Sequence, residues 1–187
     1  STAPFELFSS VTLLQEAVKE GRWSFTFVWK STRFGYDGNG VKIIRQKQDL
    51  DTLPDTPCLA EVCAPIEKEL AVIVARRPSG EVALYPVVEM EFHPEANQVE
   101  YVLCPARVHS TISEKAQQIA LQVAEAFGSI GLLAVELFLT QEGEIWVNEV
   151  APRPHNSGHY SIEASYTSQF EQHLRAILDL PLGSPKS

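Results

Sequence analysis

Leu132-Leu133-Ala134-Val135-Glu136-Leu137-Phe138-Leu139-Thr140-Gln141-Glu142-Gly143-Glu144-Ile145-Trp146-Val147-Asn148-Glu149-Val150 sets two apolar runs on either side of a Glu-Gly pair. Runs rich in branched and aromatic residues, bounded by turn residues, read as strands, so 132–139 and 144–150 are expected to form a hairpin. A two-residue turn at Glu142-Gly143 pairs Gln141 with Glu144, and counting back along both strands sets Glu136 opposite Glu149 on one face. Like charges opposed between Val135, Leu137, Val147 and Val150 destabilise a sheet unless a cation compensates them. A hard divalent ion does so, and Mg²⁺ typically takes one or two carboxylates and fills its shell with phosphate oxygens and water. The alternative is that both glutamates merely flank a solvated sheet face.

Outward from this hairpin the chain alternates strands with occasional helices. Residues 4–9 read as an incoming loop and 10–20 as a short helix, with Ser10 as N-cap and Leu13, Leu14 and Val18 on one face. Strict alternation over 23–30 predicts a strand with Trp23, Phe25, Phe27 and Trp29 on its packed side. A glycine-rich loop over 33–40, a short strand at 41–44 and a polar linker with Pro54 and Pro57 follow. Further strands are expected at 58–63, 69–76, 82–88 and 99–103, with a turn at Pro78-Ser79-Gly80. The strongest helix pattern covers 113–127, with Ile119, Val123 and Phe127 on one face; a loop over 151–159, a helix at 170–178 and a tail from Pro181 complete the chain. This order predicts an α+β fold.

Composition narrows the function classes. The 187 residues are 44% hydrophobic and 21% charged, as in an ordinary globular protein. A net charge of −9 argues against a nucleic-acid surface, which needs clustered Lys and Arg. No apolar run has the length of a membrane helix, and Ser1-Thr2-Ala3-Pro4 does not start a signal peptide. Three cysteines without CxxC spacing, Cys58, Cys63 and Cys104, fit a reducing, cytoplasmic compartment.

Lys30 ends the alternating strand and leads into Ser31-Thr32-Arg33-Phe34-Gly35-Tyr36-Asp37-Gly38-Asn39-Gly40. Closely spaced glycines let a backbone turn tightly and offer N–H groups to an anion, and Lys30 adds a point charge. The loop lacks the Gly-Lys-Ser/Thr ending of a Walker A sequence and is not GxGxxG, so on its own it also reads as a plain hairpin loop. His109 reads as a surface or loop residue and His173 as a packing or capping histidine. His155 and His159 flank Asn-Ser-Gly just after a metal-ligand candidate and read as functional.

In order along the chain, Gly35-Tyr36-Asp37-Gly38-Asn39-Gly40, Glu67-Lys68-Glu69-Leu70 with Val72 to Arg76, Val147 to His159 and Thr167 to Ala176 resemble an ATP-grasp protein, specifically the N5-carboxyaminoimidazole ribonucleotide synthase family. The run Asn148-Glu149-Val150-Ala151-Pro152-Arg153-Pro154-His155-Asn156-Ser157-Gly158-His159 is its most specific part. The resemblance spans nearly the whole chain but only about the middle of the family's usual length, so the family's flanking Rossmann-like N-terminal and small C-terminal domains are expected to lie outside this sequence.

The resemblance implies an ATP-grasp fold: two lobes with antiparallel sheets enclosing a nucleotide cleft, a small lobe at 1–60, a large lobe at 61–180 and a tail at 181–187. It implies ATP and Mg²⁺ as cofactors. Lys30 and Gly35, Tyr36, Asp37, Gly38, Asn39, Gly40 and Val41 would contact phosphates. Glu61, Val62, Cys63 and Ala64 would form the adenine hinge through backbone groups, Glu69 would hold the ribose, and His93 would lie near the nucleotide. Glu136 and Glu149 would bind Mg²⁺ with Asn148 beside them; Arg153, His155 and Asn156 would face bicarbonate and carboxyphosphate. The implied activity is ATP-dependent carboxylation of 5-aminoimidazole ribonucleotide in purine synthesis, by a homodimer. A formate-dependent transformylase and a nucleotide-binding module without turnover are the other readings. The family usually has Gly-Gly where this chain has Phe34-Gly35.

Overall fold

The computed structural model describes residues 1–33, 40–92 and 99–187. The chain divides into two compact units, 2–65 and 66–187, the second also including Ser1. The division follows Pro65, so the strand at Cys58–Val62 lies wholly in the first unit.

The first unit is a four-stranded antiparallel sheet. Strands β1 (Phe5–Phe8), β2 (Phe27–Ser31), β3 (Val41–Ile44) and β4 (Cys58–Val62) are ordered β1-β4-β2-β3. Helix α1 (Val11–Lys19) begins where expected, with the Ser10 hydroxyl accepting from the Leu13 amide. Leu14 and Ala17 of α1, Phe27 and Trp29 of β2, Ile44 and Ala60 form one buried cluster. Three expectations change. Residues 4–9 hold edge strand β1 rather than a loop. The strand after α1 starts only at Phe27, so Trp23 and Phe25 precede it, and Phe25 is 40% exposed. The polar linker contains a helical turn, α2 (Lys47–Leu50), where the Asp49 carboxylate accepts from the amides of Arg45 and Gln46 and Leu50 is buried.

The second unit is built on a six-stranded antiparallel sheet. Its strands are β5 (Ile66–Arg76), β6 (Val82–Leu84), β7 (Val88–Phe92), β8 (Val99–Leu103), β9 (Gly131–Thr140) and β10 (Ile145–Ala151). Their order is β10-β9-β5-β7-β8, with β6 also on β5. The expected strand over 82–88 is two strands, because Pro86 cannot donate to a ladder. Helix α3 (Ser110–Phe127) starts three residues earlier than predicted, capped by the His109 ring, which accepts from the Thr111 amide. It packs through Ala116, Ala120 and Ala124 onto Leu70, Val72, Val74, Leu133, Val135 and Leu137. The seam is therefore centred on alanines, and Phe127, expected to be on it, is 68% exposed. Full burial of each Leu or Val there stabilises the fold by about 1.5–3 kcal/mol.

The opposite face carries Glu69, Ala71, Ile73 and Ala75 of β5 beside Leu132, Ala134 and Glu136 of β9. A 3-10 turn at Asn156–Gly158, helix α4 (Ser161–Ala164) and helix α5 (Gln169–Ile177) follow β10, and α5 packs on β9 and β5. The residues from Pro181 on are not a free tail: the Tyr166 amide donates to the Lys186 carbonyl, the Thr167 amide to that of Ser184, and Leu182 joins the core.

The β9–β10 hairpin has a different turn from the two-residue one expected at Glu142-Gly143. The Thr140 amide donates to the Glu144 carbonyl and the Gly143 amide to the Thr140 carbonyl, enclosing three residues, with Gly143 at φ +78° where glycine alone is unstrained. Near this loop the register is one residue off the expected one, pairing Val147 with Leu137. A β-bulge at Asn148 takes up the difference, and Glu149 then pairs with Glu136.

Candidate active site

In the second unit the face opposite α3 gathers Glu69, Glu136 and Glu149. Ala71 of β5 sits opposite Glu136, which places Glu69 one diagonal step from it, and Glu149 is the direct partner of Glu136 across the β9–β10 ladder. The two paired carboxylates differ in surroundings. Glu149 is exposed, whereas the Glu136 side chain keeps 16% of its accessibility. Burial, then the nearby charges of Glu149 and Glu69, push the Glu136 carboxyl up to about 7, against a hydrogen bond from Asn148 and the charge of Arg153. Burial alone pushes Glu69 to about 7. The bulge sets the Asn148 side chain beside these carboxylates, and its hydrogen bond acts on Glu136 together with the charge of Arg153.

His155 closes over Glu136. Its Nε2 lies 3.4 Å from Glu136 Oε1, and the residue is 7% exposed. Nδ1 is held by Ser157, 2.9 Å from its hydroxyl and 3.3 Å from its amide, which leaves Nε2 as the ring nitrogen that faces the carboxylate. Asn156 Oδ1 accepts from the same Ser157 amide at 2.7 Å, and Arg153 Nη1 donates to the Pro154 carbonyl at 3.1 Å. The Arg153 and Asn156 side chains are on the exposed surface, whereas His155 is buried. His159 lies against the Phe170 ring, centroids 6.1 Å apart, and is exposed. His173 accepts from the Leu132 amide at 3.1 Å, a structural role that matches its reading from sequence.

The first unit carries the remaining candidates. Lys30 Nζ is 3.0 Å from both carboxylate oxygens of Glu61, one strand over, so the cation expected to meet the phosphates is paired with a residue expected to act through its backbone. The Val62 amide donates to the Pro4 carbonyl and serves the edge of the sheet. Cys63 and Ala64 are half-buried, and burial pushes the Cys63 thiol up. The Gly40 carbonyl accepts from the Ser31 amide at the mouth of the β2–β3 loop, followed by Val41. Gly35, Tyr36, Asp37, Gly38, Asn39 and His93 lie outside the described residues.

Sequence reasoning gave no role to Gln169, which is fully buried and bonds the His155 backbone in both directions. The signal was present: Gln169, Gln172 and Ala176 follow helical spacing on the packed side of α5, where two amides stand in place of apolar residues.

The donor set fits a hard cation that brings ligands of its own. Two facing carboxylates and an amide oxygen supply part of an oxygen shell, and burial together with the like charges of Glu149 and Glu69 raises the Glu136 carboxyl, which a bound cation would offset. Among the described residues no group of three or more His, Cys, Asp and Glu side chains is placed to hold a metal ion.

The ATP-grasp domain family matches residues 1–170. N5-carboxyaminoimidazole ribonucleotide synthase of Bacillus subtilis is 41% identical over 185 residues, 97% of this chain and 48% of the relative. Phosphoribosylaminoimidazole carboxylase of Saccharomyces cerevisiae is 43% identical over 97% of this chain and 32% of its own length. The crystal structure of the Aspergillus clavatus carboxyaminoimidazole ribonucleotide synthase complexed with ATP superposes with a TM-score of 0.89 at 37% identity, covering 99% of this chain and 49% of that one. The Thermotoga maritima synthetase superposes at 0.83 with 45% identity, over 99% and 46% of the two chains. The chain thus spans half or less of the length of these relatives. Two antiparallel sheets, a carboxylate pair on a bulged hairpin and a family match over 170 residues carry one conclusion: the chain belongs to the ATP-grasp family.

Proposed function

We propose that this chain is the ATP-grasp part of a ligase that carboxylates 5-aminoimidazole ribonucleotide with bicarbonate and ATP. The reading is carried by the opposed Glu136–Glu149 pair with His155 closed over it, and supported by relatives that bear the synthase name over nearly all of this chain. A related Aspergillus clavatus structure is described as a complex with ADP and 5-aminoimidazole ribonucleotide, at 35% identity and a TM-score of 0.86.

In this reading a bicarbonate oxygen attacks the γ-phosphorus of ATP, ADP leaves, and the resulting carboxyphosphate delivers its carboxyl group to the ribonucleotide amine as phosphate departs. The work of the protein is positioning and charge neutralisation. Glu136 and Glu149 would hold Mg²⁺, with Asn148 beside them. The ion, when bound, offsets charge on the transferring phosphoryl group. Lys30 and the loop to Val41 address the phosphates, residues 61–64 the base, and Glu69 the ribose. Arg153, an exposed cation close enough to lower the Glu136 carboxyl, faces the carboxyphosphate, and Asn156 lines the same region. His155 keeps Glu136 oriented through its Nε2. The whole protein works as a cytoplasmic homodimer; none of the helices among the described residues is long and apolar enough to cross a membrane.

Glu149→Gln in the whole protein tests the reading. Glu149 is exposed, so the fold survives the change, while bicarbonate-dependent ADP release falls by about 100-fold or more. Undiminished turnover in that variant removes the metal role, and turnover with formate but not bicarbonate moves the chain to the transformylase class.

A further inference from the structure

We infer that Gln169 is a positioning residue for this site: its buried carboxamide holds the main chain of His155 so that the imidazole reaches Glu136. Its effect on turnover rests on the reading above.

Gln169 is the first residue of α5 and has no exposed surface. Its Oε1 accepts from the His155 amide at 2.9 Å and its Nε2 donates to the His155 carbonyl at 2.8 Å. One side chain therefore takes both main-chain groups of one residue, and the amide can satisfy them in only one orientation. The Gln169 amide donates to Ser161 Oγ at 2.9 Å, and that hydroxyl donates to the Gly158 carbonyl at 2.6 Å. The turn between β10 and α4 is thus tied to α5 at His155 and at Gly158. The helix in turn is fixed to β9, the strand of Glu136, through His173 and the Leu132 amide. Gln169 connects these: a rigid path runs from β9 through α5 to the His155 backbone, and the ring end returns to β9 at Glu136, 3.4 Å away. A side chain held at both ends loses little orientational freedom when it acts, which is what precise placement beside a reacting group demands.

The same helix supplies a matched comparison. Gln172, also fully buried, makes the same two-way clamp on Gly183, with Nε2 donating to its carbonyl at 2.7 Å and its amide donating back at 2.8 Å. Loss of a two-way clamp at each of the two positions separates positioning from simple support of the fold.

The test compares Gln169→Leu and Gln172→Leu in the protein, reading the histidine ring Cε1–Hε1 signals at one fixed pH, with His155 assigned by His155→Gln, alongside turnover and denaturant unfolding. Both variants should lower the unfolding midpoint. Only Gln169→Leu should shift or broaden the His155 signal, and only it should lower kcat, by about tenfold or more with KM for ATP little changed. If Gln169→Leu does not fold, Gln169→Glu, which keeps the acceptor for the His155 amide and removes the donor, takes its place and should give the same signal change. An unmoved His155 signal, or equal movement in both glutamine variants, overturns the inference. Absence of bicarbonate-dependent turnover in the unaltered protein sinks the functional reading instead, and the ring signals still decide the role of Gln169.

Discussion

Lys30 and Glu61 form a two-point ion pair across β2 and β4, with Nζ 3.0 Å from each carboxylate oxygen and the Glu61 side chain only 12% exposed. Neither charge is expendable to the other. Lys30→Met leaves a poorly solvated carboxylate without its cation and should cost about 1–3 kcal/mol of stability. The double variant Lys30→Met with Glu61→Leu should recover most of that loss, because it removes the stranded charge as well. Denaturant unfolding of the four proteins measures the coupling. Calorimetry with Mg-ATP should show weakened binding in both variants that lack Lys30; equal affinity in all four would dismiss Lys30 as a phosphate contact.

Glu136 is the more buried of the two opposed carboxylates, and burial and the charge of Glu149 raise it more than Asn148 and Arg153 lower it. Glu136→Gln removes the like-charge opposition and eases desolvation while keeping the side-chain shape. The metal-free variant should therefore be more stable than the parent by about 0.5–1 kcal/mol. It should also lose the rise in melting temperature that Mg²⁺ with an ATP analogue gives the parent protein. A variant that is less stable without metal, yet still stabilised by Mg-nucleotide, contradicts the compensating-cation account.

Away from this site, Glu89 is 4% exposed and accepts from Arg107 Nε and Nη2 and from Lys68 Nζ. The Arg107 guanidinium, aided by Lys68, holds its carboxyl down at about 2 against the opposing effect of burial. A folded-state value below the unfolded one means that the unfolded chain binds the extra proton first. The contribution of Glu89 to stability is thus complete above about pH 4.5 and is lost as pH falls toward about 2. Glu89→Gln should lower stability at pH 6 and flatten the acid limb of the stability–pH curve in that window. An unchanged acid limb shows that the cluster does not couple protonation to folding.

The sequence carried the strand pattern, the hairpin and the pairing of Glu136 with Glu149, but the pairing arose by another route than the one counted. A two-residue turn at Glu142-Gly143 would pair them without a bulge; a three-residue loop with left-handed Gly143 shifts the register by one, and the bulge at Asn148 shifts it back. Neither step is written in residue types alone, because a bulge depends on what both strands must pack. Phe25 shows the converse: its alternation with Phe27 and Trp29 was legible, yet the strand starts only at Phe27 and leaves Phe25 half-exposed. The Lys30–Glu61 pair and the clamp of Gln169 on His155 were invisible for one shared reason. Both join residues distant in the chain, across 31 and 14 positions, and local periodicity carries no information about such contacts.

Gly158 offers the sharpest test of how tightly the turn after β10 is seated. Its φ is not in the left-handed region, so an alanine there meets no backbone strain and any cost is steric. A Cβ at 158 would lie 2.2 Å from Ile73 Cδ1, 2.6 Å from Gln169 Oε1 and 2.8 Å from Gln169 Cδ. Ile73 is 3% exposed and has little room to retreat, and the Gln169 carboxamide is pinned by its bonds to His155. Gly158→Ala should therefore cost about 1–3 kcal/mol and displace the clamp. Adding Ile73→Val deletes the atom in the nearest contact and should recover part of the stability, but not the His155 placement, since the collision with Gln169 remains. Gly80→Ala is the comparison: its φ is +94° with nothing within 4 Å, so it should cost only backbone strain and leave activity intact. Unfolding curves and ADP release for the three variants separate the two origins. A Gly158→Ala protein as stable and as active as Gly80→Ala would mean that the turn can lift off β5 and that Gln169 does not fix it.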